Sequence, residues 1–130
     1  MRERLEISAA RVTRPHRFQW LWEPLETDPT FVLRPMFGGK SVYLDGKLML
    51  YFSAKTEPWQ GLLVCTERDH HSTLLADFPI LTPHPILPKW LYLPERSEDF
   101  ESGAMDIVER IRVGDQRFGV EPKERKGKKQ

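Results

Sequence analysis

A double glycine, Gly38-Gly39, lies at the centre of the segment of this sequence that is richest in groups able to bind an anion. The backbone N–H groups of consecutive glycines can cradle a phosphate. A phosphate-binding loop, however, continues into the first turn of a helix, whereas Lys40-Ser41 begin a strand pattern here. We therefore favour a structural bend or bulge at the glycines, where a positive φ costs little, with an anion site as the alternative.

Cationic and aromatic side chains surround this bend: Arg34, Lys40, Phe37 and Tyr43. Projecting from one sheet edge, such side chains form a surface that stacks on bases and pairs with phosphates, or that buries against a protein. In the alternative interpretation, which we favour, Arg34 pairs with a nearby carboxylate and Phe37 packs in the core. In a third interpretation, Trp59 and the bend together form a pocket for a small ligand.

The four histidines and the single cysteine form no pattern typical of catalysis or metal binding. His70 and His71 are neighbours on a predicted helix, so their side chains diverge by about 100° and cannot hold one metal together. Cys65 lies in an apolar strand pattern without a positioned base, which indicates a small buried hydrophobe. We expect no catalytic residue, no metal site and no cofactor.

Length and composition are those of an ordinary globular domain. The chain has 130 residues and a net charge of +1, so its overall charge favours neither nucleic acid nor a membrane surface. Its one cysteine excludes an intrachain disulfide and fits a reducing cytosol. The first residues lack the apolar core of a signal peptide, and no apolar run approaches the roughly 18 residues of a membrane span. We expect a cytoplasmic protein without a membrane segment.

We divide the chain into a flexible lead-in (residues 1–14), one domain (15–120) and a disordered basic tail (121–130). The tail has no apolar residue, which is typical of disorder. Its cations are Lys123, Arg125, Lys126, Lys128 and Lys129. They either contact the phosphates of nucleic acid or keep the protein in solution, and we favour the second role.

Hydrophobic periodicity predicts helices over 16–25, 68–77 and the segment behind Ser97, and strands over 30–34, 40–44, 47–53, 59–65 and 89–93. Asp45-Gly46 is a strong type I′ hairpin signal. Thr66 and Asp69 resemble a capping box, and Ser97 is the expected N-cap of the last helix. The order α-β-β-β-β-α-β-α predicts a two-layer α+β fold, an antiparallel sheet of about five strands with helices packed on one face.

The strand over 47–53 is apolar on both faces, which predicts a central position in the sheet. Strict alternation places Leu48, Leu50 and Phe52 on one face and Met49 and Tyr51 on the other. The edges of such a sheet can pair between two copies of the chain, so a homodimer is a further expectation.

The glycine segment resembles the N-terminal domain of TfoX-type proteins, which carries the pattern R-x-M-F-G-G-x-x-x-Y-x-D-G-x-M. The matching residues are Arg34, Met36, Phe37, Gly38, Gly39, Tyr43, Asp45 and Gly46, followed by the apolar pair Leu48-Met49. The match is dense over residues 30–53 and thin elsewhere. Residues 59–64 (WQGLLV), with Lys89 and Trp90 downstream, are more similar to YjbR-type proteins, which have a W-K-G-x-x-V strand and a later K-x-W-like strand.

TfoX-type proteins regulate competence for DNA uptake, so the resemblance implies a non-enzymatic module that regulates transcription or competence through a protein or DNA partner. The alternative is a domain that binds a small ligand, or an enzyme, with a pocket near the Gly38-Gly39 bend. The candidate binding residues are Arg34, Phe37, Gly38, Gly39, Lys40, Tyr43 and Trp59.

Overall fold

The computed structural model describes residues 16–122. Its helices are α1 (Gln19–Trp22), α2 (His71–Asp77) and α3 (Phe100–Arg112); a 3-10 turn, Glu23–Thr27, follows α1, and another, Arg68–His70, precedes α2. Its strands are β1 (Val32–Met36), β2 (Gly39–Leu44), β3 (Lys47–Ser53), β4 (Gly61–Val64), β5 (Thr82–Pro83) and β6 (Leu91–Pro94). Apart from β5, each corresponds to an element that the hydrophobic pattern predicts.

The six strands form one antiparallel sheet in the order β1-β2-β3-β4-β6-β5. The predicted α+β fold is therefore confirmed, with one strand more than expected. The additional strand, β5, lies in the proline-rich connector and pairs Thr82 with Tyr92 and Pro83 with Leu91. Proline has no N–H to donate to a ladder, which is why this short strand lies at the edge of the sheet.

All three helices contribute to a hydrophobic core on one face of the sheet. The stripe predicted for the last helix is buried throughout: Phe100, Ala104, Ile107, Val108 and Ile111. The stripe predicted for the first helix is buried as well: Phe18, Leu21, Trp22 and Leu25. That helix is shorter than expected, because Pro24 lacks an N–H and the chain continues as a 3-10 turn.

A β-bulge in β3 changes which of its residues face the helices. Adjacent residues of β2 pair with Leu48 and Leu50, so Met49 is left without a partner on that strand. Met49, Leu50 and Phe52 consequently belong to the helix-side core, whereas Leu48 and Tyr51 face the other side. The predicted face assignment of Leu48 and Met49 is wrong, because strict alternation cannot anticipate an inserted residue.

The bend in the glycine segment lies one residue earlier than predicted. Phe37 and Gly38 form the turn between β1 and β2, with φ of 48° and 81°. Two positive φ values are those of a type I′ turn. Gly39 is already the first residue of β2, paired with Met36. The second expected hairpin, at Asp45-Gly46, is confirmed with φ of 52° and 78°.

Both predicted helix caps are wrong. The Thr66 hydroxyl donates to the carbonyl oxygen of Arg117 at 2.6 Å, and no side chain caps α2. The N-cap of α3 is Asp99. Ser97 instead forms a turn before the helix, in which its carbonyl oxygen accepts the Phe100 N–H at 3.0 Å. The Thr66 hydroxyl hydrogen-bonds a segment that is distant in the sequence, and an additional turn separates Ser97 from α3. Neither feature is visible in the local sequence pattern that indicated a cap.

The segment after α3 returns to the sheet. Arg117 donates to the Asp115 carboxylate at 2.7 Å, and this guanidinium lowers the pKa of Asp115 to about 2. Phe118 is buried in the helix-side core. Val120 then exchanges two backbone hydrogen bonds with Leu48, at 2.9 and 3.0 Å. The chain beyond α3 therefore lies beside β3 on the sheet face that none of the described helices covers, called here the helix-free face.

We predict that Gly39→Ala destabilises the fold much more than Gly46→Ala. A Cβ at Gly39 would overlap the carbonyl oxygen of Phe52 and lie 2.9 Å from the Tyr51 hydroxyl, whereas one at Gly46 would meet nothing within 4 Å. Overpacking at Gly39 should lower the free energy of unfolding by about 3 kcal/mol, and the left-handed backbone at Gly46 should make its substitution cost about 1 kcal/mol. Urea unfolding of both variants measures this, and equal losses would contradict it.

Candidate functional site

The helix-free face of the sheet carries an apolar pocket of about 490 Å³. Its lining consists of Met36, Phe37, Tyr51, Lys55, Trp59, Leu63, Leu87, Lys89 and Trp90. Seven of these side chains are apolar or aromatic, and the other two are lysines. A concave site of this volume, with apolar walls and few polar groups, is typical of small-molecule sites. We refer to these nine residues as the apolar pocket.

The base of the apolar pocket is rigid. Tyr51, Leu63 and Trp90 are each less than a tenth exposed. The Tyr51 hydroxyl donates to the carbonyl oxygen of Phe37 at 3.1 Å, which ties β3 to the turn between β1 and β2. Burial raises the pKa of Tyr51, so the phenol stays protonated and keeps this bond at neutral pH.

Phe37 is the most unusual residue of the pocket. Its side chain is 78% exposed, and its φ of 48° lies in the left-handed region. That region costs a residue with a Cβ about 1–2 kcal/mol and is rare for bulky side chains. The expectation that Phe37 packs in the core is therefore wrong. A strained, exposed aromatic ring at the rim of an apolar pocket indicates a role other than stability.

Two lysines provide the formal charge of the apolar pocket. Lys55 follows β3, and its side chain runs across Gly38: a Cβ there would lie 2.6 Å from Lys55 Cε and 2.9 Å from its Nζ. Lys89 precedes β6, and its Nζ lies 5.2 Å from the ring centroid of Trp90. Both side chains are exposed. The ammonium groups therefore lie at the rim, and the aromatic rings lie below them.

His84 holds together the two connectors that wall the pocket. It is fully buried, with ring centroids 4.3 Å from Trp59 and 5.0 Å from Tyr92. Its Nε2 donates to the carbonyl oxygen of Pro58 at 2.7 Å, and its Nδ1 accepts the backbone N–H groups of residues 86 and 87, both at 3.0 Å. Only the neutral ring makes all three bonds, and burial lowers the pKa of His84.

The structure brings some of the predicted binding residues together and separates others. Phe37 and Trp59 both line the apolar pocket. Arg34 lies on the same face of the sheet, stacked over Tyr43 at 5.6 Å. Lys40 pairs with Phe52, a residue of the helix-side core. The expectation that Arg34 and Lys40 share one surface is wrong, because neighbouring positions of the paired strands point to opposite faces.

The two glycines shape the site through the backbone. Gly38 supplies a positive φ in the turn, and Gly39 admits the Tyr51 ring, which a Cβ would obstruct. The chain continues from Gly39 as a strand, so the helix N-terminus of a phosphate loop does not follow. The tail residues Lys123, Arg125, Lys126, Lys128 and Lys129 lie outside the described residues.

A more polar groove continues from the apolar pocket towards the end of the described chain. The two hollows share Met36, Phe37, Lys89 and Trp90. The continuation has a volume of about 670 Å³, and its further lining includes Tyr43, Leu48, Thr66, Glu67, Arg68, Asp69, Val120, Glu121 and Pro122. Three carboxylates and one guanidinium of this set give it a mixed charge that the apolar pocket lacks.

Cys65 is buried, and His71 is hydrogen-bonded to the backbone. Cys65 is fully buried, as predicted, and burial raises the pKa of its thiol well above the usual range, so the nucleophilic thiolate is suppressed. His71 hydrogen-bonds the carbonyl oxygen of Lys89 at 3.0 Å. Among residues 16–122, no three His, Cys, Asp or Glu side chains come together to hold a metal ion, and no helix is long and apolar enough to cross a membrane.

Sequence reasoning missed most of the pocket. Lys55 and Leu87 lie in connectors without a motif, and Tyr51 and Leu63 have the ordinary appearance of strand residues. The one available signal was that β3 is apolar on both faces, which requires a cover on each side. Comparison with known proteins adds no further residue: no family model, curated protein or solved structure matches this chain.

We predict that the protein loses stability as the pH falls below about 6.5. The folded pKa of His84 is lowered from 6.5, so between these two values the unfolded chain binds a proton that the folded chain does not. The stabilising contribution is complete above pH 6.5 and is lost as the pH falls through the lowered folded value. His16, whose pKa is also lowered, acts in the same direction.

His84→Asn tests this assignment, because the amide oxygen can still accept a backbone N–H but the side chain does not titrate. Chemical unfolding from pH 7.5 down to 5 should show a smaller loss of stability in the variant than in the native chain. The variant should also be about 2 kcal/mol less stable at neutral pH, since the bond to Pro58 and the ring stacking are gone. An unchanged pH slope would show that His84 does not contribute.

Proposed function

We propose that this chain is a non-enzymatic binding module whose apolar pocket holds an organic small molecule. The observation that carries the proposal is the lining of that pocket: seven apolar or aromatic side chains around about 490 Å³, on the sheet face that none of the described helices covers. Such a lining favours an apolar body of drug-like size. Of the two functions that the sequence suggests, this proposal follows the small-ligand alternative.

A binding role without chemistry is favoured by the groups around the pocket. The phenol of Tyr51 is committed to the carbonyl oxygen of Phe37. His84, below Trp59, uses both ring nitrogens in backbone hydrogen bonds. General acid–base catalysis requires a titratable group within reach of the substrate and free to exchange a proton. Neither of these two side chains meets that requirement in the folded protein.

A regulatory role is part of the proposal. A ligand bound beside the turn at Phe37 would change the surface between that turn and Val120, along which the groove continues. A protein or DNA partner that binds this surface would connect ligand binding to the regulation of transcription or competence, the role that the resemblance to TfoX-type proteins implies. The lone buried thiol of Cys65 is compatible with the cytoplasmic location that we propose.

Filling the pocket tests the proposal. Met36→Trp adds an indole to the wall of the apolar pocket, and Met105→Trp is the matched control, since Met105 lies on α3 with 53% of its surface exposed. We expect the native chain and Met105→Trp to bind the neutral dye phenylnaphthylamine with increased dye fluorescence. Met36→Trp should reduce this affinity about tenfold or more, because the added indole occupies space that the dye needs for its contacts. Equal binding by all three proteins would exclude the pocket.

Phe37 should contribute to binding at the expense of stability. Phe37→Asn places a residue that tolerates the left-handed region in the turn, so the free energy of unfolding should rise by about 1 kcal/mol. Phe37→Ala removes the same ring but keeps the strained backbone, so it should bring no such gain. Both variants should bind the dye less tightly than the native chain. A Phe37→Asn variant that is less stable, or that binds as tightly, would contradict this assignment.

A further inference from the structure

We infer that the ligand of the apolar pocket is an organic anion, a molecule with a flat apolar body and an acidic group at one end. This inference rests on the proposed function and specifies its ligand class. The acidic group would lie between the ammonium groups of Lys55 and Lys89 at the rim. The apolar body would lie against the rings of Trp59 and Trp90 below them.

The polar side-chain groups of the lining residues are nearly all hydrogen-bond donors. Lys55 and Lys89 offer ammonium groups, and Trp59 and Trp90 offer indole N–H groups, none of which can accept a hydrogen bond. The remaining polar group, the Tyr51 hydroxyl, already donates to the carbonyl oxygen of Phe37. A pocket whose available polar groups donate is matched by a ligand that accepts, and a carboxylate accepts several hydrogen bonds at once.

Among residues 16–122, no carboxylate pairs with the charge at the rim. Lys55 and Lys89 form none of the ion pairs within 4.0 Å found among residues 16–122. The nearby carboxylate of Glu57 pairs instead with Arg96 at 3.4 Å. The Lys55 side chain lies over Gly38, and a side chain at position 38 would displace it. Two ammonium groups at one rim, without a carboxylate partner in the described part of the chain, attract an anion and repel a cation.

The neighbouring groove limits where an anion can bind. Beyond Trp90 the lining includes Glu67, Asp69 and Glu121, with Arg68 as the added cation. Like charges oppose the entry of a carboxylate there. The anion preference therefore belongs to the apolar pocket, and the acidic group should not extend into the groove.

The rings of the pocket favour a flat ligand. Phe37, Tyr51, Trp59 and Trp90 supply four aromatic surfaces, and aromatic rings pack on one another in stacked or edge-to-face arrangements. Leu63 and Leu87 add aliphatic wall. Arylalkanoic or arylalkenoic acids combine such a body with one carboxylate, and they are the class that we infer.

Three compounds with the same ring and chain but different charge provide the test: cinnamate, cinnamamide and cinnamylamine. Each is titrated against the full chain, and binding is followed by tryptophan fluorescence and by displacement of phenylnaphthylamine. We expect cinnamate to bind about tenfold more tightly than cinnamamide, as for a charge-assisted hydrogen bond, with cinnamylamine the weakest. The difference between the acid and the amide should shrink as salt is added.

Lysine variants locate the effect. Lys55→Gln and Lys89→Gln should each weaken cinnamate binding about threefold to fivefold and leave cinnamamide unchanged, and the double variant should abolish the preference for the acid. Lys40→Gln is the matched control, since Lys40 lies on the same sheet but on the helix side, and it should leave the preference intact. Both pocket lysines are exposed, so the folded state should survive their replacement.

The outcomes separate this inference from the proposed function. If cinnamate and cinnamamide bind the native chain equally, or if the lysine variants leave the preference unchanged, the anion inference is overturned while the pocket remains a binding site. If none of the three compounds binds, the anion inference is overturned as well. The pocket itself is excluded as a site only if Met36→Trp binds the dye as tightly as the native chain and Met105→Trp do.

Discussion

The structure depends on one constraint: β3 lies in the interior of the sheet with apolar side chains on both faces, yet the helices of residues 16–122 cover only one of these faces. Leu50 and Phe52 are buried under the helices, and Leu48 and Tyr51 need another cover. The connector before β6 and the segment around Val120 provide that cover. Irregular segments pack less uniformly than a helix lying along a sheet, and the apolar pocket is the space that they leave.

The polar contacts on this face fix the irregular cover in place. Tyr51 joins the sheet to the turn at Phe37, and His84 joins the loop at Pro58 to the connector before β6. Each is a buried polar group with its hydrogen bonds satisfied, so breaking these hydrogen bonds has a high cost in free energy. The walls of the pocket are therefore held in position before any ligand arrives, which lowers the entropic cost of binding.

The glycine segment, residues 34–47, combines two different demands. Gly38, Gly39 and Gly46 are explained by the backbone, because each supplies a positive φ or a close approach that a side chain would prevent. Phe37 has no such explanation, since its ring lies in solvent and its backbone is strained. The backbone geometry of the fold therefore explains the glycines. Phe37 is the residue of this segment that we assign to binding.

The sequence by itself determined the order of the elements other than β5, the antiparallel character of the sheet and the buried stripe of α3, because these follow from periodicity within short windows. The tertiary structure alone decided the faces of β3, where the bulge at Met49 reverses the alternation. It also decided the site, where Lys55 and Lys89 meet around Trp59 although they lie far apart in the sequence. Such contacts depend on how segments that are distant in the sequence pack together, and a local sequence pattern does not specify that packing.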